Sequence, residues 1–184
     1  MKKLLFFLMI GWVALASSCR KNKDVSEPGK IPIDFDFKIL NANKQVATTF
    51  KEGEEIWLSF KLINRSSETW ALNPRSLDKV DSFFRILRRG TSEEDMGRPF
   101  VSMFCYDLEP LIRAKDTLKL EIPWKNDANV RFPNFCGRDS TRKKLDIGFF
   151  NSRFSAVFLF RKGNSSEGLA TDRLSFQYDF EIKK

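Results

Sequence analysis

Histidine is absent from all 184 residues. That absence excludes a Ser-His-Asp triad and a Cys-His pair, and it removes the commonest zinc ligand. No Gly-rich phosphate loop and no nucleic-acid-binding motif is present. No motif singles out a serine paired with lysine as a nucleophile. After residue 18 no stretch holds a sustained helical period. Cysteine is scarce, at Cys19, Cys105 and Cys136 alone. The expectation is therefore a chain that is not an enzyme, with no cofactor, no resident metal and no nucleic acid among its partners.

What is present begins with "MKKLLFFLMIGWVALASSC". Lys2 and Lys3 precede thirteen uncharged residues, Leu4 to Ala16. That run suits the core of a secretion signal and is too short for a membrane-spanning helix of about 20 residues. Leu15-Ala16-Ser17-Ser18-Cys19 then resembles the lipobox of bacterial lipoproteins. The resemblance implies a signal peptide over 1–18, cleavage before Cys19, and a lipid on its thiol. The usual leucine three places before the cysteine is Ala16 here, with Leu15 one place early. An ordinary cleavage after Ala14-Leu15-Ala16 is the alternative, and it would leave a free thiol outside the cytoplasm. Residues 19–30, "CRKNKDVSEPGK", are polar and broken by Pro28 and Gly29, as a flexible tether should be. Arg20, Lys21 and Lys23 follow the cysteine without the early acidic run that marks surface export in some bacterial groups. The expected location is the outer membrane, facing the periplasm, with exposure on the cell surface as the alternative.

Without the first 18 residues, 166 of 184 remain, enough for one domain over 31–184. Only two positive charges leave with the signal, so the formal +8 becomes about +6. Small basic clusters stand at Arg85/Arg88/Arg89 and Arg138/Arg142/Lys143/Lys144, which suits a chain beside anionic lipid or glycan. With Cys19 lipidated, Cys105 and Cys136 form an even pair. In an oxidising compartment that implies one disulfide, and two separate buried thiols are the other reading.

Apolar and polar residues alternate with a period of two along much of the chain. Ile31, Ile33, Phe35, Phe37 and Ile39 share one face, as do Ile56, Leu58, Phe60 and Leu62. Leu118, Leu120, Ile122 and Trp124 form a third set, and Phe154, Ala156, Phe158 and Phe160 a fourth. Leu174, Phe176, Tyr178, Phe180 and Ile182 form the last. Weaker strands are expected at 45–50, 68–72, 82–88, 100–106 and 145–150, with a turn of helix within 74–82. Nineteen phenylalanines supply the core. The pattern predicts an all-β fold, a single β-sandwich of about seven to nine antiparallel strands.

The stretch "FKEGEEIWLSFKLINRSSETWALNP" resembles the early strands of immunoglobulin-like domains in bacterial envelope proteins. A Gly-Glu turn (Gly53, Glu54), an alternating strand, Asn64 with a polar turn, and a second strand at Trp70 to Leu72 carry the likeness. "IRAKDTLKLEIPW" and "LSFQYDFEI" resemble later strands, and the bacterial intracellular proteinase inhibitor domain shows the same order. The resemblance implies an immunoglobulin-like sandwich. "GFFNSRF" stands where that family carries a G-x-Y, and inhibition is not carried over with the fold.

Three surfaces are candidate sites. The loop "NVRFPNFCGRDSTRKK" combines Arg131, Phe132, Phe135, Arg138 and Arg142 around Cys136. It reads either as a stapled binding surface or as a crossover whose phenylalanines enter the core. Trp57 and Trp70 read as an aromatic platform for a glycan or another ligand, or as covered residues. The carboxylate pairs Asp34/Asp36 and Asp179/Glu181, the Asn126/Asp127/Asn129 loop and the Glu93/Glu94/Asp95 tip read as solvated strand faces and turns, without the ligand count of a Ca²⁺ site. The expected role is a membrane-anchored protein-binding or envelope-assembly module, with an envelope protein as partner. Glycan binding and protease inhibition are the alternatives.

Overall fold

The computed structural model describes residues 31–104, 109–125, 130–163 and 165–184. The signal, the tether, Cys19, Cys105 and the loop residues 126–129 lie outside them. The chain runs β1 (Ile33–Leu40), β2 (Thr49–Lys51), β3 (Trp57–Asn64), β4 (Trp70–Leu72) and α1 (Arg75–Asp78). It continues through β5 (Ile86–Arg89), β6 (Glu94–Gly97), β7 (Ser102–Met103), β8 (Leu111–Ile112) and β9 (Thr117–Pro123). The last strands are β10 (Phe135–Cys136), β11 (Gly148–Ala156), β12 (Leu159–Lys162), β13 (Gly168–Ala170) and β14 (Leu174–Lys183).

Four of the five alternating runs become strands because their odd or even residues have a hydrophobic layer to enter. The run from Phe154 to Phe160 instead breaks at Val157 and Phe158 into β11 and β12, which lie in different sheets. One sheet has the order β1-β3-β9, and Phe37, Phe60 and Leu120 stand side by side across it. A second has the order β2-β14-β11-β5-β6, with Phe154 opposite Phe176 and Phe150 opposite Phe180. The inner faces meet through rings: Phe37 lies 5.3 Å from Phe154, and Phe60 lies 5.1 Å from Phe176. This is a β-sandwich in which β1, β3 and β9 take the places of strands A, B and E of an immunoglobulin domain. The strands β14, β11, β5 and β6 take those of G, F, C and C′. The β2–β14 pair is parallel, unlike the all-antiparallel pairing expected. After β1 the chain turns at Asn41, whose side chain accepts two backbone N–H bonds, and crosses to the other sheet.

A smaller sheet, β13-β12-β4-β8, closes the end of the sandwich where β1 begins. Two expectations change here. Residues 82–85 are a turn and not the start of a strand, because Phe83 and Phe84 are both fully buried and stack at 4.2 Å. Alternation would have exposed one of them. The acidic Glu93/Glu94/Asp95 stretch is no simple loop tip, since Glu94 to Gly97 pair with β5 as an edge strand. Its carboxylates meet Arg153, Lys143 and Arg85.

Candidate functional site

The register decides which distant residues meet at the other end of the sandwich. Ile33, at the start of β1, stands opposite Asn64, at the end of β3, while Trp57 at the start of β3 stands opposite Pro123. Ile56, Trp124 and the last turn of β14 therefore gather at the end away from the start of β1. Residues 130–147 wrap this end. Phe135 is buried there against Phe100 at 4.9 Å and Phe84 at 5.9 Å, so it belongs to the core and not to an exposed binding face. Phe132 is half-buried, edge-on to Trp57 at 5.9 Å. Arg131 and Arg138 remain exposed. Cys136 pairs in the ladder with Ser102 of β7, so β10 runs beside the segment that leads towards residue 105.

Beyond β10 the chain passes the edge strand β6. The Lys143 amide donates to the Met96 carbonyl at 2.9 Å. Gly97, at φ +91°, gives the backbone room: a Cβ there would stand 3.1 Å from the Arg142 Cα. Arg142 is thereby set over Trp124, with its guanidinium carbon 5.6 Å from the ring centroid. The Trp124 indole donates to the Lys143 carbonyl at 3.3 Å, which fixes the ring beneath the arginine.

Trp124, Arg142 and Lys143 line a cleft of about 270 Å³. Ile56, Trp124, Leu145 and Ile182 form its apolar part, and Lys125, Arg138, Arg142, Lys143 and Lys144 its charged part, with Glu54 as the acidic member. Several of these charges are already occupied. Lys143 meets Glu94 at 2.9 Å, Lys144 meets Glu52 at 3.6 Å, and Lys125 donates to the Gly53 carbonyl at 3.3 Å. Glu54 accepts the Lys51 amide at 2.9 Å. Arg142 differs: its Nη1 is buried and has no hydrogen-bond partner among the described residues. Burial, and then the neighbouring Arg138 charge, lower its affinity for its proton, with Asp139 opposing.

The other candidate positions are not brought together. Trp70 is 5% exposed, with its indole donating to the Ser66 hydroxyl at 3.1 Å, so it offers no ring face to a ligand. Trp57 lies at the other end of the sandwich, half-buried beneath the Lys44 ammonium and beside Phe132. The two tryptophans therefore make no shared platform. Burial lowers the Lys44 pKa, and Glu121 and Glu55 counter it. Asp34 pairs with Arg65, Asp36 with Lys38, Asp179 with Arg89 and Glu181 with Lys183, so both carboxylate pairs are engaged on strand faces. The basic cluster at 138–144 is visible in the sequence. The parts of the cleft supplied by Glu54, Trp124, Lys125 and Ile182 carry no local signal, because only the strand register unites them.

No protein-family model and no curated protein matches the chain. Among solved structures, the ASH/PapD-like domain of human CEP192 (PapD-like domain 7) is similar, at 14% identity and a TM-score of 0.39. That match covers 88% of this chain and 92% of the other, and it is too distant to carry residue roles.

Proposed function

We propose that this chain is a membrane-anchored extracytoplasmic lipoprotein whose sandwich is a non-enzymatic docking module for another envelope protein. The observation that carries the reading is the position of the basic cleft. It lies at the end of the domain opposite Ile33, and so it stands clear of the end to which the tether would join. The lipid on Cys19 is supported by the lipobox-like sequence, and a periplasm-facing outer-membrane site by the residues that follow it. A bridge between Cys105 and Cys136 is supported by the even cysteine remainder and by the β7–β10 ladder. Such a bridge would pin the cleft loop to the sandwich at about 3 kcal/mol for a closed loop of this order. Mass measurement after thiol blocking should then show a gain of two hydrogens only on reduction, and an unchanged mass removes the bridge.

The docking reading is tested in cells of the native host. Cys19→Ala should move most of the protein out of the membrane fraction, and unchanged membrane association overturns the anchor. A photoreactive residue at Arg138 should give one reproducible protein adduct. The same residue at Leu111, 61% exposed at the other end, should give none. An adduct at Leu111 alone, or at neither position, overturns docking through the cleft.

A further inference from the structure

The geometry points to a specific occupant of the cleft: the C-terminal residue of a partner chain, with an apolar side chain beside its free α-carboxylate. This deepens the docking reading and rests on it. A guanidinium held over an indole is fixed in direction, and a fixed arginine fork suits a carboxylate better than a mobile lysine does. Arg142 is so held, by Gly97 behind its backbone and Trp124 beneath its charge. Arg142 lines the cleft and is in no ion pair among the described residues, so an anion in the cleft would be its first ionic partner. Arg138, four residues before Arg142 and in no ion pair among the described residues, adds a second charge at the mouth.

The apolar part decides between anions. Ile56, Leu145 and Ile182 line the same small space as Arg142, so a single residue carrying both a carboxylate and an apolar group would meet both parts of the lining. An internal aspartate or glutamate carries its carboxylate on a side chain with only one or two methylenes and no branched or aromatic group. A terminal leucine or phenylalanine carries both. The volume of about 270 Å³ admits a residue of that size and little more. Capture of a terminal carboxylate is a recurring way of reading a peptide end.

The test uses the full-length chain in detergent and follows the Trp124 indole N–H by NMR. Three peptides serve as probes: acetyl-Gly-Ser-Leu with a free carboxylate, its C-terminal amide, and acetyl-Gly-Asp-Gly-amide. The free acid should shift the Trp124 signal saturably. The amide and the internal aspartate should bind about tenfold more weakly or worse. Arg142→Gln should remove the response. Arg138→Gln, at an exposed position where folding is not at stake, should weaken it several-fold. Equal binding of acid and amide, or a response indifferent to both substitutions, overturns the inference. So does saturation by inorganic phosphate with no response to the peptide acid. A cellular adduct at Arg138 with no peptide response overturns this occupant and leaves the docking reading standing.

Discussion

Phe60→Ala should lower the free energy of unfolding by about 3–5 kcal/mol, the range for deleting a buried aromatic ring. Phe60 is fully buried in β3, the central strand of its sheet, between Phe37 and Leu120 in register. Its ring lies 5.7 Å from Phe83, 5.5 Å from Phe154, 5.7 Å from Phe158 and 5.1 Å from Phe176. Those rings come from a turn (Phe83), from β11 and β14 (Phe154, Phe176) and from the connection between β11 and β12 (Phe158), so no single element can move inward to fill the space. Edge-to-face geometry with Phe83, Phe154 and Phe176 adds an electrostatic part that a leucine would not restore. Phe60→Leu should therefore still cost about 1–2 kcal/mol, mostly through lost shape complementarity. Denaturant unfolding of both variants measures this. A loss below about 1 kcal/mol for alanine would mean that the ring cluster closes over the gap.

The part of the fold legible in the sequence is the part governed by period two. The inward residues of β1, β3, β9, β11 and β14 follow from alternation alone, because one face of each strand has only the other sheet to meet. Alternation is silent where the chain turns. Phe83 and Phe84 enter the core together by way of a turn, with Phe84 at φ +57°. No strand pattern encodes that. Glu94 and Asp95 look like loop residues because an edge strand tolerates charge on both faces. Trp70 is buried because it stands in β4 between β12 and β8 of the small sheet, a pairing that no local pattern announces. The cleft was legible only as the run Arg138, Arg142, Lys143, Lys144. Its shape depends on Ile56, Trp124 and Ile182 meeting across two sheets, a relation set by register and not by any local spacing.

Asn64→Asp replaces one heavy atom, Nδ2 by an oxygen, at the place where β3 turns towards β4, and its cost should depend on pH. Asn64 is 1% exposed. Its Nδ2 faces three carbonyls, donating to Glu68 at 2.6 Å, Ile112 at 3.1 Å and Arg113 at 2.8 Å. Its Oδ1 accepts the Ser66 amide at 2.9 Å and the Ser66 hydroxyl at 2.7 Å, and that hydroxyl in turn accepts the Trp70 indole N–H. One amide therefore ties β3, the following turn and β8 together. A carboxylate there would set a charge against three carbonyl oxygens, which strip it of donors on that side. Its folded-state pKa must rise above the unfolded value of about 3.9. A raised folded pKa places the proton on the folded form, so the variant is least impaired below the unfolded pKa. It loses stability as pH climbs through the folded value. Relative to the unsubstituted protein, the deficit should be about 1 kcal/mol at pH 4 and roughly 3 kcal/mol at pH 8, where the acid must either ionise or hold a proton at cost. Paired unfolding curves at the two pH values read this directly. An equal deficit at both would show that the lost N–H bonds, and not the buried charge, set the cost.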